Sequence, residues 1–256
     1  IKEHTDIKMI YYGHDLHFMR EFREYELTGD VKKRQESEYW KSIEFSLFHK
    51  VAVSYYPSYV EEEAIHAVDE TIPVKAITAY VYEEFLQNLN KDFAKREGLL
   101  FVGGFAHPPN ADAVLWFAKE VFPKIREQIK VNFYIVGSKV TDEIKALEQP
   151  GNGIIVKGFV SEEELADLYR NCRIVVVPLR YGAGVKGKVV EAIYNGAPHR
   201  HHLRRQRGNP GCRKSSPRQG SAGRICRDSR RTLQRRKTPR RPGRENAGLY
   251  PRAFQY

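Results

Sequence analysis

Short apolar runs alternate with amphipathic segments between residues 98 and 198. The runs that have the length and β-branched content of buried strands are GLLFVGGF (98–105), VNFYIVG (131–137), GIIVKGFV (153–160) and RIVVVPL (173–179). The segments with apolar residues at helical spacing are NADAVLWFAKEVFPKIREQ (110–128), TDEIKALEQ (141–149), SEEELADLYRNC (161–172) and GVKGKVVEAIYNG (184–196). This alternation predicts an α/β fold with a doubly wound parallel sheet.

The first third of the chain repeats the pattern in a less regular form. Its predicted strands are IKMIYY (7–12), VAVSYYPS (51–58) and VKAITAYVY (74–82). The charged stretch 17–50 between the first two has apolar residues at helical spacing. Ser58 stands where a helix cap would open YVEEEAIHAV, with the glutamates at the favourable N-terminal end. Polar, linker-like sequence then follows as far as Arg96.

The alternation of apolar runs and amphipathic segments stops at Pro198. Residues 199–256 carry 18 of the 43 Lys and Arg residues and two acids, a net charge of +16, whereas residues 1–198 have a net charge of −5. The segment has few apolar residues, no period and abundant Pro, Gly and Arg. We therefore expect a disordered basic tail at 199–256, and the net charge of +11 describes that tail rather than the body of the protein.

The stretch VPLRYGAGVKGKVVEAIYNGAP (177–198) has the features of a phosphate-binding loop. Glycines such as Gly182 and Gly184 let the backbone approach a ligand, and the N-terminus of the helix that follows offers free N–H groups. Arg180, Lys186 and Lys188 supply positive charge for a diphosphate. Nucleotide-diphosphate sites of this kind lie at the carboxyl ends of parallel strands. A carboxylate one turn into the helix, Glu191, can accept hydrogen bonds from ribose hydroxyls.

This stretch resembles the pattern G-x-G-x-K/R-x-K-x-x-E-A-x-x-x-G-x-P of the GT-B glycosyltransferases, in particular the GT4-like family known as glycosyl transferases group 1. FVGGFAHPPNADAVLWF, GFVSEEELADLYRNCRIVVVPL and YYGHDLHFMRE resemble further segments of that family, so that the resemblance covers most of residues 7–198. It implies a GT-B fold with two Rossmann-like units. These would be the last part of an acceptor-side domain at 1–90 and an incomplete nucleotide-sugar donor domain at 91–198.

The resemblance also implies roles for particular residues. Gly103 and Gly104 would approach the donor phosphates, together with Gly182 and Gly184. Arg180, Lys186 and Lys188 would neutralise the diphosphate leaving group, Glu191 would hold the ribose, and His14 would face the transferred sugar.

The chain departs from the family pattern at two places. Many members have Arg directly after the first glycine of VGG and a Lys soon afterwards, whereas this chain has Gly104 and then His107-Pro108-Pro109-Asn110. Many also have a Glu seven or eight residues before the ribose-binding one, but no acid lies between Arg180 and Val190. The phosphate charge would then rest on Arg180 and the two lysines.

Structural explanations compete with these assignments. Gly103 and Gly104 can serve only as a strand-to-helix turn, the lysines can be solvated, and Glu191 can be a surface acid of a helix. His14 can equally be a structural histidine that follows a strand. The run Glu162–Glu164 is explained by helix capping from Ser161 and needs no catalytic role.

The resemblance implies sugar transfer from a nucleotide-diphosphate-sugar to a glycan, lipid-linked or other acceptor, with retention at the anomeric carbon and with neither a metal nor another cofactor. A lone cysteine before Pro198 and the lack of an 18-residue apolar run favour a cytoplasmic protein without a transmembrane segment, and leave peripheral membrane association open. The first residues read as the middle of a domain, so we expect the 256-residue chain itself to be inactive.

Two other functions remain open. A different GT-B enzyme, such as a nucleotide-sugar epimerase, would share the donor half. A nucleic-acid-binding protein would use the Arg-rich tail, although any peptide of +16 binds phosphate without specificity, and we expect no specific nucleic-acid partner.

The basic tail is compatible with a shifted reading frame. Histidine codons are CAY and most arginine codons are CGN, so HRHH (199–202) read one nucleotide later permits IVTT, the strand expected next in the family. In the same frame LRRQRGNPG permits SVGSEGIPG, TLQRRKT permits LYNDEKL, and ENAGLYPRAFQ permits MQDYIREHFS. A single inserted nucleotide near codon 198 would produce all of these matches, and a genuine RNA-binding tail predicts none of them.

The encoding DNA tests this interpretation directly. Sequencing across codon 198 should show codons whose reading one nucleotide later gives IVTT and then SVGSEGIPG. Codons that do not encode this continuation in the shifted frame would contradict the frameshift and favour a genuine basic tail.

Overall fold

The computed structural model describes residues 7–82, 86, 89 and 92–201, and these form two parallel sheets. The first sheet contains β1 (Ile10–Tyr12), β2 (Val53–Tyr56) and β3 (Val74–Ala76), in that order. The second sheet contains β4 (Glu97–Val102), β5 (Phe133–Val136), β6 (Ile154–Gly158), β7 (Cys172–Val177) and β8 (His199–His201), in the order β6-β5-β4-β7-β8. Every strand pair is parallel, which confirms the predicted sheet type.

Helices connect the strands of both sheets. In the first unit they are α1 (His17–Thr28), α2 (Val31–Phe48) and α3 (Tyr59–His66). In the second unit they are α4 (Pro108–Trp116), α5 (Phe122–Arg126), α6 (Asp142–Lys145), α7 (Glu162–Asn171) and α8 (Gly187–Tyr194), with a π-helical turn at Phe117–Val121 between α4 and α5. Among the described residues, no helix is both long enough and apolar enough to cross a bilayer.

The second sheet is covered on both faces. One apolar cluster, centred on Phe117, Phe133 and Ile174, packs the helical segment 108–126 and α6 against the sheet. The other cluster includes Tyr169 and Ala192 and packs α7 and α8 against the opposite face. This arrangement is the predicted doubly wound α/β fold, which the structure confirms.

Several predicted element boundaries differ from the structure. The helical stretch 17–50 is two helices, because Gly29 adopts a left-handed φ of 77° after α1 and Asp30 then caps α2 by accepting a hydrogen bond from the Lys32 N–H. The strand predicted at 74–82 ends at Ala76. The helix predicted at 110–128 starts at Pro108 and widens into a π turn just before Pro123, whose ring nitrogen cannot donate a helical hydrogen bond.

The predicted loss of regular structure after Pro198 is wrong for its first residues. Residues 199–201 form β8 at the edge of the second sheet, in register with Val175–Val177 of β7. The Val175 N–H also donates to the Pro198 carbonyl at 2.7 Å. Pairing of this kind uses backbone groups, so charged side chains do not prevent it. The remainder of the predicted tail, 202–256, lies outside the described residues.

The carboxyl ends of β4 and β5 approach each other closely. The Gly103 N–H donates to the Val136 carbonyl at 3.0 Å, and a Cβ on Gly137 would collide with the carbonyl oxygen of Gly103. A side chain at Gly137 would therefore push the two loops apart at the edge where the predicted site residues lie.

Replacement of Gly137 by Ala should lower the free energy of unfolding by about 3 kcal/mol, because the new methyl group meets backbone that cannot move away. Gly151→Ala is the control: nothing lies within 4 Å of its Cβ position, and only its positive φ opposes the change, at a cost of about 1 kcal/mol. Urea unfolding of both variants measures the difference. Equal losses would contradict the close approach of the two loops.

Candidate functional site

A cleft of about 490 Å³ opens at the carboxyl ends of β4, β5 and β7. Six of the nine predicted site residues line it, namely Gly103, Gly104, Gly182, Lys186, Lys188 and Glu191. The other three, His14, Arg180 and Gly184, lie outside the lining. The cleft is where parallel sheets of this type bind ligands.

Asn110 organises the glycine side of the cleft. This residue of α4 is 5% exposed, and its Nδ2 donates to the Gly104 carbonyl at 2.7 Å. A Cβ on Gly103 would lie 3.1 Å from the same Nδ2 atom and 3.2 Å from Cε of Lys188, so that only glycine fits without displacement. The backbone of Gly103 and Gly104 is thus held at the cleft by a side chain that sequence analysis did not select.

Lys188 lies across the cleft from that loop. Its Nζ donates to Oδ1 of Asn110 at 3.0 Å and stands 5.7 Å from the centre of the Phe101 ring. Burial lowers the pKa of Lys188, the Glu191 carboxylate opposes that effect, and the Lys186 ammonium adds to it. A neutral amide and an aromatic face do not neutralise the ammonium, which therefore favours an anion in the cleft.

Lys186 stands at the N-cap of α8, whose positive dipole end lies at the cleft, and the Gly187 and Val189 N–H groups of the first turn donate to the Val185 and Lys186 carbonyls. Burial lowers the pKa of Lys186, and the Arg23 guanidinium lowers it further, while Glu61 has the opposite effect. Two lysines and a helix N-terminus therefore concentrate positive potential at one end of the cleft.

Glu191 lies one turn into α8 and also lines the cleft. Its Oε2 accepts a hydrogen bond from the Tyr169 hydroxyl at 3.0 Å. Burial, followed by the charge of Glu191, raises the pKa of Tyr169, so this phenol stays a donor. The bond fixes the orientation of the carboxyl group and leaves Oε1 without a hydrogen bond from the described residues.

Arg180 does not contribute a free charge to the cleft. Its guanidinium makes a two-point ion pair with Asp112 of α4, with Nε to Oδ2 at 2.9 Å and Nη2 to Oδ1, and lies 5.7 Å from the centre of the Trp116 ring. A bidentate pair of this kind largely cancels both charges. The structure therefore shows Arg180 holding the loop after β7 to α4 beside the cleft.

The other two residues outside the lining lie where the two units meet. Gly184 has a positive φ of 74°, and its Cβ position is 3.0 Å from the carbonyl oxygen of His14. The His14 side chain is exposed, with its ring edge-on to Tyr12 at 5.4 Å. Arg23 of α1 reinforces the contact by donating to the Gly182 carbonyl at 2.6 Å.

Aromatic residues around the cleft were not predicted from the sequence. Tyr80 lines the cleft, and a Cβ on Gly187 would collide with its hydroxyl group. Tyr82 stacks on Tyr194 of α8 with ring centres 3.9 Å apart. Phe159 follows β6 at the cleft, 83% exposed. The one signal in the sequence was the pair of tyrosines within 80–82, and that segment was predicted to be part of a strand.

Residues 96–199 match the family model described as glycosyl transferases group 1. An uncharacterized 44.6 kDa protein in the cps region of Klebsiella pneumoniae is 31% identical over 123 residues, which are 45% of this chain and 30% of that protein.

Solved structures share the fold. TarM aligns with a TM-score of 0.62 and 16% identity, over 90% of this chain and 44% of TarM, and a variant of TarM from S. aureus has been crystallised with fondaparinux, α-GlcNAc-glycerol and UDP. The pneumococcal O-GlcNAc transferase GtfA in complex with UDP and GlcNAc aligns with a TM-score of 0.52 and 19% identity, over 77% of this chain and 42% of GtfA. These likenesses confirm the predicted GT-B fold class, and the chain spans less than half the length of each of these proteins.

Removal of the Asn110 side chain should destabilise the second unit, because Asn110→Ala leaves the Gly104 carbonyl and the Lys188 ammonium without their partner. We expect the free energy of unfolding to fall by about 2 kcal/mol. Gln128→Ala removes an exposed amide and should change it by less than about 0.5 kcal/mol. Urea unfolding measures both, and an Asn110 variant as stable as the Gln128 variant would contradict the role given to Asn110.

Proposed function

We propose that this protein transfers a sugar from a nucleotide-diphosphate-sugar donor and that the cleft holds the donor, because residues 96–199 match the family model described as glycosyl transferases group 1. The observation that carries the proposal is the meeting of Lys186, Lys188 and the N-terminus of α8 with the Gly103–Gly104 backbone in one cleft.

The diphosphate would lie between the glycine backbone and the two lysines. Both lysines have lowered pKa values because they are partly desolvated, and a bound diphosphate supplies the negative charge that their surroundings lack. When the bond to the sugar breaks, charge builds on the leaving phosphate. Ammonium groups and a helix dipole that are already in place stabilise this charge without reorganisation.

The nucleoside would extend from the diphosphate along the cleft. Glu191 has one carboxyl oxygen held by Tyr169, and its other oxygen can accept hydrogen bonds from ribose hydroxyls. The exposed ring of Phe159 offers a flat apolar surface to a base. The UDP present in the TarM and GtfA complexes makes UDP the first nucleotide to test.

The sugar and the acceptor would lie toward the first unit. The loop that contains Gly182 and Gly184 packs against the backbone of His14, so His14 stands at the junction of the two units. We propose that it faces the transferred sugar, that transfer proceeds with retention, and that Arg180 acts through the position it gives to α4. Because the relative from Klebsiella pneumoniae is named for the cps region, a glycan is the first acceptor to test.

The proposal needs no metal ion, since lysines and a helix N-terminus supply the positive charge. A cytoplasmic location fits the free thiol of Cys172, the one cysteine among the described residues.

Calorimetric titration with UDP tests the donor site. Lys188→Met should weaken UDP binding about tenfold or more, because a charge-assisted contact to phosphate is lost, and EDTA should leave binding unchanged. Lys124→Met, at an exposed lysine of α5, is the control and should bind like the parent protein. The pKa values of both cleft lysines are lowered. The affinity for UDP should therefore decline with rising pH at a lower pH than it would if the lysines had the ordinary pKa. Equal UDP affinity of the two variants would contradict the proposed site.

A radiolabelled UDP-sugar distinguishes the possible reactions. Label in a glycoside would support transfer, whereas a free epimeric nucleotide-sugar would favour the epimerase. The assay that distinguishes them uses the protein with its reading frame after codon 198 restored. The 256-residue chain itself should form no product, and measurable transfer by it would overturn its predicted inactivity.

A further inference from the structure

Glu61 is a buried carboxyl group with one oxygen unused. It lies in the first turn of α3 and is 0% exposed. Its Oε2 accepts a hydrogen bond from the Ser58 hydroxyl at 3.1 Å, but its Oε1 has no hydrogen-bond partner among the described residues. Burial of a half-satisfied carboxyl group is costly, so its retention calls for an explanation beyond packing.

Helix capping supplies only part of that explanation, because the backbone N–H groups of Ser58 and Leu16 lower the pKa of Glu61 without giving Oε1 a hydrogen bond. Ser58 and Glu61 have capping-box spacing, yet the Ser58 side chain bonds to the Glu61 carboxyl group and makes no cap hydrogen bond to the backbone of α3. This pairing engages Oε2 alone. The other oxygen points elsewhere.

The unused oxygen faces the glycine loop of the second unit. Oε1 of Glu61 lies 3.6 Å from the Cβ position of Gly184, next to the contact of Gly184 with His14 and Asp15. Arg23 holds the same loop through the Gly182 carbonyl. Glu61 thus belongs to the first unit but lies against the loop that leads directly into Lys186 and α8.

The charges around Glu61 and Lys186 form one system. The charge of Asp15, in the loop before α1, acts on Glu61, whereas the charges of Arg23 and of Glu61 act on Lys186. Ser58 and Tyr56 also lie near Glu61. Burial raises the pKa of Glu61 to about 7, Ser58 opposes this, and Asp15 adds to it. Glu61 is the group whose charge opposes the lowering of the Lys186 pKa by burial and Arg23.

We propose that Glu61 is a positioning residue, which seats the loop of residues 182–186 against the first unit and keeps the Lys186 ammonium charged and in place at the cleft. The role of Lys186 at the diphosphate rests on the proposed function. The coupling between the Glu61 and Lys186 side chains does not depend on that function. The first unit then takes part in donor binding, because its Glu61 carboxylate keeps charged and in position the Lys186 ammonium that contacts the diphosphate.

The coupling can be measured without a ligand. Brief acetylation with acetic anhydride between pH 7 and 9.5, followed by mass spectrometry, reports the neutral fraction of Lys186. Glu61→Gln removes the negative charge, lowers the pKa of Lys186, and should raise its labelling rate about threefold or more. The matched control is Glu63→Gln, the same change at an exposed glutamate of the same helix, and it should leave the rate unchanged.

The increase should grow above pH 7, where Glu61 carries its charge in the parent protein. An increase of equal size at every pH, with raised labelling of lysines elsewhere, would indicate local unfolding and contradict the proposal. So would an unchanged rate.

The reciprocal measurement covers the case in which Glu61→Gln does not fold. Carbon NMR of the glutamate carboxyl groups follows Glu61 through its titration, and Lys186→Met should raise its pKa above about 7, because coupling between two sites acts in both directions. A Glu61 titration that is unchanged in the Lys186 variant would overturn the proposal. UDP binding by the parent protein would then still support the donor site itself, so the two claims fail separately.

Discussion

The amide of Asn110 is the contact on which the cleft depends. One buried side chain donates to the Gly104 carbonyl and accepts from the Lys188 ammonium, and so joins the loop after β4, the start of α4 and the first turn of α8. An amide can satisfy both partners at once because it has a donor and an acceptor on the same group. Neither a carboxylate nor an ammonium could do so, and an apolar residue would leave both partners unsatisfied.

The electrostatics of the cleft follow from that contact. Asn110 orients Lys188 but does not neutralise it, and the second lysine stands at a helix N-terminus. Arg180, in contrast, is paired with Asp112. The cleft therefore keeps two desolvated cations whose pKa values are lowered, a costly arrangement that an anionic ligand would relieve. A binding site that stores unfavourable desolvation gains affinity when the matching charge arrives.

The fold could be predicted from the sequence because the alternation of apolar runs and amphipathic segments is local information. Six of the nine predicted site residues line one cleft because they lie on two glycine-rich loops and on α8, which starts at the same edge of the sheet. What the sequence could not provide was pairing across long separations. Arg180 meets Asp112 68 residues away, Arg23 reaches Gly182 over 159 residues, and Glu61 meets Gly184 from another unit. None of these contacts leaves a mark in spacing or composition.

Amide hydrogen exchange in the presence of UDP tests the central claim, that the glycine loop and the start of α8 together hold a nucleoside diphosphate. The account predicts slower exchange at residues 103–105 and 187–189 when UDP is added, with little change in α2. No change at either segment, or protection confined to the first unit, would contradict it.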